Sequence, residues 1–568
     1  MINKEKQPII AIMALIVLFT MAWSVIIIQK YYAFNATVFD LGVSSNLMYE
    51  VFHGSSLIQQ FQSKSIAMNK LIYIPMAIFY NIYPDPLGLE IFQAFWLSLG
   101  ALPVYLIARK KTTYRYFPFF ASLIYLLYFP LAGAYYFDFH FIAIFPTFFL
   151  FGFYFYLSGK LKISSVMMFF AVISDFLVPV IVFFFSLYIL MFERKTRKSY
   201  PVILMVISSL SFLLTVSYFG IHYLIPFAGG ITSGTSTAGK GVSYNILYYI
   251  FDLSFPFGFL QFLSPETMII SIPYFALIYF NHYFAYYSPT MYQYPALAAP
   301  VIVISFIYGY TRLEKILNKK YLRSIIRVVL VVSVIAFILF TPPGNYITND
   351  NSPPLSYANS IFSNYYALQN SQVMPYDHSL LRMVDMIPQG SSVLIQNNMP
   401  QLTNGYSWYL PANLDKNIYP EYIITDPYNP WFYNVSISPG YISNMEYYTN
   451  YYLSTGRYGI YAQAENCILL KYGYHGAPVM FIPSEWKYDL GSGNSTVNIS
   501  VIGPGYYDLS LSNDGIISMN LSYYDRGATL TGMGRGSYKI EICRYINNFT
   551  INVTSGESNA ISITEVGA

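Results

Sequence analysis

The chain has 568 residues, of which 55% are hydrophobic and only 10% charged, and its mean hydropathy is +0.43. Soluble domains are about a quarter charged, so this composition excludes an ordinary soluble enzyme and indicates a membrane protein. The formal charge is only +4 and the basic residues lie in short clusters between apolar runs, which favours a lipid bilayer as partner and argues against nucleic acid.

The apolar runs predict an α-helical polytopic membrane region over residues 1–341, with about eleven spans. A span needs about 20 mostly apolar residues. The first run is too long for an ordinary signal peptide and lacks its small-residue cleavage pattern, so we interpret it as an anchor. The runs that meet the length criterion are 9–28, 87–108, 116–135, 140–158, 200–219, 290–310 and 322–341.

Basic clusters predict which loops are cytoplasmic. All of them share one side only if residues 163–192 and 246–282 form hairpins that break near Ser174-Asp175 and Pro265-Glu266. We therefore predict a cytoplasmic N-terminus and an extracytoplasmic C-terminal region in the cell membrane. The clusters are Arg109–Lys111, Lys160 with Lys162, Arg194–Lys198 and Arg312–Arg327.

Two extracytoplasmic modules are predicted after the last span. Residues 342–480 mix short strands with Pro/Asn/Tyr-rich loops, which indicates an α/β or mostly β module. Residues 481–568 alternate apolar and polar residues between Gly/Asn/Asp/Ser turns, which is typical of a β-sandwich. Cys467 and Cys543 both fall in predicted strands of this oxidisable region, so we expect a disulfide between the modules.

Asn-x-Ser/Thr sequons are consistent with this orientation, because on this topology every one of them is extracytoplasmic. The tripeptide is common by chance in Asn- and Ser-rich sequence, so its presence alone does not prove glycosylation. The sequons begin at Asn35, Asn434, Asn494, Asn498, Asn520, Asn548 and Asn552.

The loop after the first span begins Phe39-Asp40-Leu41-Gly42, and Asp40 is the first carboxylate that the chain presents outside. Apolar side chains at helical spacing follow, which predicts an amphipathic helix along the outer membrane surface over residues 29–70. Asp40 therefore either caps this helix or takes part in catalysis, and the two roles are compatible.

Three more ionisable residues interrupt apolar sequence at predicted outer turns. Asp138 and His140 are two residues apart, so they can share a metal or a phosphate-bound proton, although a structural turn explains them equally well. Asp175 lies in a strongly apolar region, where an ionisable residue indicates a functional site. If residues 163–192 form a hairpin, Asp175 lies at its outer tip.

Two further outer loops carry candidate substrate contacts. Lys240 belongs to the Gly/Ser/Thr-rich run 229–243, which can wrap an anion, although a linker explains its composition better. His282 and Tyr283 mark a polar and aromatic turn, where stacking on a sugar competes with an interfacial aromatic belt as the explanation. The sequence contains no Walker or Rossmann phosphate loop, which disfavours ATP-driven transport and nucleotide chemistry.

Five short motifs occur along the chain in the order Phe39–Gly42, Phe137–His140, Phe255–Pro273, Tyr294-Pro295 and Ile387–Val393. Their order resembles a family of prokaryotic, often archaeal, predicted membrane proteins classed as a domain of unknown function, from about residue 10 to about residue 475. That family is similar to the GT-C superfamily of polytopic glycosyltransferases. The resemblance implies a lipid-phosphate-linked sugar donor and a catalytic acid in the first outer loop, at Asp40. Family members often have a Lys-Glu pair where this chain has Ser174-Asp175.

The resulting hypothesis is a GT-C-like glycosyltransferase that transfers a sugar from a polyprenyl-phosphate donor to a glycan or lipid acceptor on the outer face of the membrane. Asp40 is the general base, and either a divalent metal (Mg²⁺ or Mn²⁺) on Asp138 and His140 or a lysine neutralises the leaving phosphate. Two alternatives stay open, a transporter or flippase of a lipid-linked or small polar substrate, and a membrane-anchored glycan-binding surface protein. The predicted substrate contacts are Asp175, Lys64, Lys70, Lys240, His282 and Tyr283.

Overall fold

A computed structural model describes most of the chain. Four of the predicted substrate contacts, Lys64, Lys240, His282 and Tyr283, lie outside the described residues. The described residues are 7–54, 70–193, 196–219, 242–280, 286, 289–290, 292–343, 372–411, 414–415, 417–432, 435–438, 441–443, 445–512, 515–523, 526–533, 537–555 and 559–567.

The chain divides into two compact units, and both are discontinuous in sequence. The first unit comprises Met1–Tyr31 and Ser44–Ser371, and the second comprises Tyr32–Val43 and Gln372–Ala568. The start of the predicted outer loop, with Asp40, therefore belongs to the β-rich unit. The domain boundary predicted from the sequence, at residue 342, leaves this segment in the membrane region.

The first unit is helical. One helix start has a clear sequence signal, at Asp85, whose side chain accepts the N–H of Leu87 at 2.9 Å and which precedes Pro86. The helices are α1 (Gln7–Tyr32), α2 (Val43–His53), α3 (Tyr73–Tyr80), α4 (Pro86–Leu99), α5 (Ala101–Lys111), α6 (Phe117–Leu126), α7 (Ala132–Tyr136), α8 (Phe145–Leu157), α9 (Leu161–Val172), α10 (Val178–Phe192), α11 (Ser199–Phe219), α12 (Val242–Ser254), α13 (Pro265–Met268), α14 (Ile272–Phe280), α15 (Ala299–Leu313) and α16 (Lys319–Phe340).

Four helical segments of the described chain are long and apolar enough to cross a membrane: Gln7–Tyr32, Pro86–Lys111, Ser199–Ser217 and Lys319–Phe340. A fifth results if Phe117–Leu126 and Phe129–Tyr136, bent by 41°, form one span. A multi-span helical membrane region is thus confirmed, but about eleven full spans are not supported, because the remaining apolar helices are shorter. These are Phe141–Leu157, Leu161–Val172, Val178–Phe192, Ile246–Phe257 and Ala299–Leu313.

Both predicted hairpin breaks are present. The first lies between α9 and α10, at residues 173–177. The second is longer, because between Ser254 and Ile272 the chain forms only 3₁₀ turns and the short helix α13. Gly258 and Phe259 there have φ angles of 58° and 59°, a left-handed conformation that ends an α-helix.

Two of the basic clusters meet at one end of the first unit. The carboxylate of Glu314 accepts the backbone N–H groups of Thr113 and Tyr114, both at 3.0 Å. The guanidinium of Arg323 lies 5.8 Å from the ring centre of Tyr114. Clusters Arg109–Lys111 and Arg312–Arg327 therefore share one end of the helical unit, which agrees with the arrangement that the positive charges predict.

The second unit begins with a mixed six-stranded sheet in the order β2-β1-β3-β7-β6-β8. Strand β1 is parallel to both β2 and β3, whereas β7 is antiparallel to β3 and β6. Both faces of the central strands are buried, with Val393 and Leu394 in separate cores. Its elements are helices α17 (Pro375–Asp385) and α18 (Met445–Ser454) and strands β1 (Ser392–Leu394), β2 (Ser407–Tyr409), β3 (Tyr422–Thr425), β6 (Tyr458–Ala464), β7 (Cys467–Tyr472) and β8 (Val479–Ile482), with β4 (Val435–Ser438) and β5 (Tyr441–Ser443) as a separate pair.

A β-sandwich completes the second unit, so the prediction of a C-terminal β-rich region is confirmed. One sheet has the order β10-β15-β12-β13 and the other β14-β11-β16-β9. Alternate residues such as Ile499, Leu509 and Ile551 fill the space between them. The strands are β9 (Glu485–Leu490), β10 (Gly493–Ile502), β11 (Gly505–Leu511), β12 (Gly515–Tyr523), β13 (Arg526–Met533), β14 (Ser537–Ile542), β15 (Ile546–Ser555) and β16 (Asn559–Gly567).

The expected disulfide is wrong, because Cys467 and Cys543 are both free thiols. Cys467 begins β7 and is fully buried in the core of the six-stranded sheet, where its Sγ lies 4.0 Å from Oδ1 of Asp426. Cys543 follows β14 and is exposed. The two modules are instead joined by hydrogen bonds of Tyr545, whose hydroxyl contacts Thr425 Oγ1 at 2.7 Å and the carbonyl of Asn466 at 2.5 Å.

Candidate functional site

Asp40 lies in the middle of a π-helical turn, Val38–Gly42, which leads into α2. The N-cap of this turn is Thr37, whose hydroxyl oxygen accepts the N–H of Asp40 at 3.3 Å. The interpretation of Asp40 as the helix cap is therefore wrong. Single π-helical turns are rare and occur frequently at functional sites.

The segment before Asp40 is bound to the end of a β-strand. The main-chain carbonyl of Asn397 accepts the N–H of Val38 at 2.6 Å, and its side-chain Oδ1 accepts the N–H of Phe39 at 3.0 Å. Because the Thr37 hydroxyl accepts the N–H of Asp40, the backbone N–H groups of Val38, Phe39 and Asp40 all have acceptors. The backbone that carries the Asp40 side chain is thus held by Asn397.

This attachment occurs at the carboxyl ends of parallel strands. Asn397 follows β1, and Asn429, which follows β3, donates from Nδ2 to the carbonyl of Phe34 at 3.3 Å. In open α/β sheets, ligands bind outside the carboxyl ends of the strands. This contribution of Asn397 and Asn429 was not predicted from the sequence, because neither residue lies near Asp40 in the chain.

A buried polar network supports the same sheet edge. Gln396 accepts the N–H of Asp426 at 2.6 Å, and Asn398 donates to Oδ2 of Asp426 at 3.0 Å. The pKa of Asp426 is raised from its ordinary value of 3.8 to about 7. Burial is the main cause, and the negative charge of the nearby Asp377 is the second. Because each polar group is paired inside the protein, this network holds the residues after β1 and β3 in one arrangement.

A buried ion cluster occupies the first unit. The ammonium of Lys30 lies 2.5 Å from Oε1 of Glu90 and 2.9 Å from Oδ1 of Asp138, and it also donates to the carbonyl of Tyr136 at 2.9 Å. The three charged side chains are at most 4% exposed. Of these three residues only Asp138 was predicted from the sequence as a site residue, although a lone charge inside an apolar run was a usable signal for Lys30 and Glu90 as well.

His140 is held by its neighbours on the same turn. Its backbone N–H donates to Oε1 of Gln93 at 2.8 Å, and its Nδ1 lies 2.7 Å from the carbonyl oxygen of Asp138. Because a carbonyl oxygen only accepts, Nδ1 is the protonated ring nitrogen. The turn from residue 137 to residue 140 is therefore fixed by side-chain and main-chain contacts together.

The predicted metal ligands do not form a metal site with the described residues. Among these residues there is no group of three or more His, Cys, Asp or Glu side chains that could hold a metal ion. The carboxylate of Asp138 contacts the Lys30 ammonium, which is a competing cation. Asp138 and His140 therefore do not fit a divalent cation here, and a metal cofactor stays a prediction.

The structure brings Asp175 together with Lys70 and His140. The N–H of Ile72 donates to the carbonyl of Ile173 at 3.0 Å, which attaches the segment after Lys70 to the break before Asp175. Asp175 is 5% exposed and accepts the N–H of Leu177 at 3.0 Å, and Lys70 and His140 lie within electrostatic range of its carboxylate.

An apolar cavity begins directly after Asp175. Its volume is about 330 Å³, which is within the range of small-molecule sites, and its walls include Phe176, Leu177, Ile181, Pro273 and Leu277. One polar residue, Tyr274, contributes to the lining, and its hydroxyl contacts that of Tyr249 at 2.5 Å. The first unit therefore has an apolar cavity whose lining includes the two residues that follow Asp175 in sequence.

Fold and site together define a multi-span helical membrane protein with a C-terminal β-rich region. The chain matches the family described as "Predicted membrane protein (DUF2079)" over residues 30–469 and belongs to it. The matched range includes Lys30, Asp40, Asp175 and Asn397, and it ends before the β-sandwich.

A solved structure shows a distant similarity. This is the crystal structure of the Archaeoglobus fulgidus oligosaccharyltransferase tethered with an acceptor peptide, with 11% sequence identity and a TM-score of 0.31. The similarity covers 69% of this chain and 63% of that protein, so this chain spans less than two thirds of the transferase. A similarity this low does not establish an activity. A comparison with curated proteins gives no match.

Proposed function

We propose that this protein is a membrane glycosyltransferase of GT-C type, which transfers a sugar from a polyprenyl-phosphate donor to a glycan or lipid acceptor on the outer face of the membrane. The supporting observation is that Asp175, which lies within electrostatic range of Lys70 and His140, directly precedes Phe176 and Leu177 in the lining of the apolar cavity. A polyprenyl phosphate needs apolar walls for its chain and a cation for its phosphate, and the first unit offers both.

Asp40 is the proposed general base. It takes the proton from an acceptor hydroxyl while the hydroxyl oxygen bonds to the anomeric carbon of the sugar, and the bond from that carbon to the phosphate oxygen breaks. Polyprenyl phosphate is the leaving group, and Lys70 stabilises its negative charge. Asn397 is a positioning residue in this scheme, since it contacts the backbone before Asp40 and no reacting atom. The roles predicted for Lys64, Lys240, His282 and Tyr283 stay predictions.

A transporter or flippase for a lipid-linked substrate is the second candidate. The helix interruptions at residues 173–177 and between Ser254 and Ile272 favour it, because broken helices line substrate sites in many transporters. The two candidates differ in their products. A flippase moves the lipid unchanged, whereas a transferase separates the sugar from the lipid phosphate.

The test is a transfer assay with the purified full-length protein in liposomes, using radiolabelled polyprenyl-phosphate mannose and polyprenyl-phosphate glucose as donors. Asp40→Asn should lower turnover about 10²–10⁴-fold, because the amide keeps the shape but cannot accept the proton. Asp85→Asn is the matched control, since Asp85 caps α4 and Asn caps a helix equally well. Full activity of the Asp40 variant would refute the assignment, and donor translocation without release of polyprenyl phosphate would support the transporter.

A further inference from the structure

The two sheets of the β-sandwich differ sharply in charge. Among the described strand residues, the sheet β10-β15-β12-β13 contains one charged residue, Arg526. The strands of the sheet β14-β11-β16-β9 contain seven. Soluble protein surfaces are about 25–35% charged, and charges on exposed sheets also prevent sheets from associating. The nearly uncharged sheet therefore lacks the charged side chains that usually hydrate an exposed sheet and prevent it from associating with another sheet.

The sequons are concentrated in that same sheet. Five of the seven begin within its strands, and the described strands of the other sheet contain none. Asn494 and Asn498 lie on β10, Asn520 on β12, and Asn548 and Asn552 on β15. Charge depletion and sequon density therefore coincide on one sheet.

Strand geometry places complete sequons on the outer face. On β10, Val497 and Ile499 are buried, whereas Asn494 and Asn498 are exposed. Residues two apart on a strand point to the same side, so Thr496 accompanies Asn494 outward and Ser500 accompanies Asn498. Both parts of each recognition tripeptide are therefore accessible together.

The hydrogen bond observed for Asn498 does not involve its side-chain amide nitrogen, which is the atom that a glycan would modify. The hydroxyl of Thr550 donates to the side-chain oxygen of Asn498 at 3.1 Å, not to its amide nitrogen. Asn552 differs, because it is half-buried and its side-chain oxygen accepts from Thr496 at 2.8 Å. Among the sequons of this sheet whose Asn side chains the structure describes, those of Asn494 and Asn498 are therefore accessible.

We propose that Asn494 and Asn498 carry N-linked glycans and that this sheet face is hydrated by sugar instead of charge. The amide nitrogen of each Asn bonds to the anomeric carbon of an oligosaccharide carried on a lipid phosphate, the carbon–oxygen bond to the phosphate breaks, and the base of an oligosaccharyltransferase takes the amide proton. The glycans also keep the outer face from stacking on another sheet. This modification is independent of the glycosyltransferase activity proposed above.

Peptide mass spectrometry of the full-length protein, isolated from the membranes of the cells that naturally produce it, tests the assignment. We expect one glycan mass on Asn494 and one on Asn498. Thr496→Ala and Ser500→Ala should each remove one of them while the asparagine stays. Thr554→Ala, which disrupts the sequon of Asn552, is the matched control and should remove none.

Thr496→Ala also removes a hydrogen bond to Asn552, so Asn494→Gln provides a second variant that keeps Thr496 in place. It should lose the same glycan mass as Thr496→Ala. Unmodified peptides at both Asn494 and Asn498 would overturn the proposal, as would a glycan on Asn552 with both of these residues unmodified.

Discussion

The side-chain oxygen of Asn397 accepts the backbone N–H of Phe39 at 3.0 Å, which joins residues 358 positions apart in sequence. The position of Asp40 therefore depends on the end of strand β1 as well as on its own helix. In the proposed reaction, a base must lie within hydrogen-bond reach of the acceptor hydroxyl. A change at Asn397 should consequently affect turnover through Asp40.

Asn397→Ala should lower kcat while the KM for the donor stays unchanged, because the variant leaves the N–H of Phe39 unpaired, at a cost of about 1–3 kcal/mol. Asn397→Asp keeps an acceptor oxygen and should restore much of the rate. The control is Asn450→Ala, since the buried Asn450 donates to the carbonyl of Tyr545 and does not contact the segment around Asp40. Equal kinetics for the variants at 397 and 450 would contradict the positioning role.

Lys30 and Lys70 should behave differently when each is replaced by methionine. Lys30→Met leaves the buried carboxylates of Glu90 and Asp138 without their cation, so we expect a loss of about 3–5 kcal/mol in stability, measured by thermal unfolding in detergent.

Lys70 is only half-buried, and its variant should fold but show a raised KM for the polyprenyl-phosphate donor. Wild-type stability of the first variant, or an unchanged donor KM of the second, would refute these roles.

The β-rich unit should lose stability as the pH rises. Burial raises the pKa of Asp426 from 3.8 to about 7 and that of Glu565 from 4.5 to about 7. Between the ordinary values and about pH 7 the folded state binds more protons than the unfolded chain, so each group lowers the free energy of unfolding by about 1.4 kcal/mol per pH unit as the pH increases through this window.

Thermal unfolding of the full chain, monitored by the protease sensitivity of the β-rich unit, should therefore give a higher Tm at pH 5 than at pH 8. Asp426→Asn and Glu565→Gln should each weaken the pH dependence, because neither amide titrates. Asp489→Asn removes an exposed carboxylate and should leave it unchanged. A Tm that is the same at both pH values would show that these carboxylates do not bind protons on folding.

The two cysteines should differ in reactivity and report the membrane orientation. Cys543 is exposed, whereas Cys467 is buried and burial raises the pKa of its thiol, which lowers both access and thiolate content. A membrane-impermeant maleimide should label one thiol of the folded protein, and Cys543→Ser should abolish the labelling. Labelling on intact cells would place the C-terminal region outside, and labelling only after lysis would reverse the predicted orientation.

The parts of the fold that were predictable from sequence depend on local patterns. The break at residues 173–177 follows from the length of the apolar runs and the position of Asp175. The strands of the sandwich follow from alternating residues such as Val497 and Ile499. The disulfide was wrong because the pattern around Cys467 is consistent with a strand but does not show that both faces of this strand are buried.

The parts that could not be predicted depend on contacts between distant segments. Lys30, Glu90 and Asp138 each stand alone in apolar sequence, and nothing local indicates that the three meet. Likewise, Val38 and Phe39 donate their N–H groups to a residue that follows β1 in the other part of the chain. Of the candidate site, the sequence indicated Asp40, Asp138 and Asp175, but not the residues that hold them.

The division of the β-rich unit into Tyr32–Val43 and Gln372–Ala568 has a consequence for synthesis of the protein. Ribosomes add about 5–20 residues per second, so roughly 20–70 seconds pass between the emergence of Phe39 and that of Asn397. During this delay the sheet that receives the N–H groups of Val38 and Phe39 does not yet exist. The segment around Asp40 therefore acquires its final backbone contacts only late in synthesis, so a nascent chain that stops before β1 cannot hold this aspartate as the finished protein does.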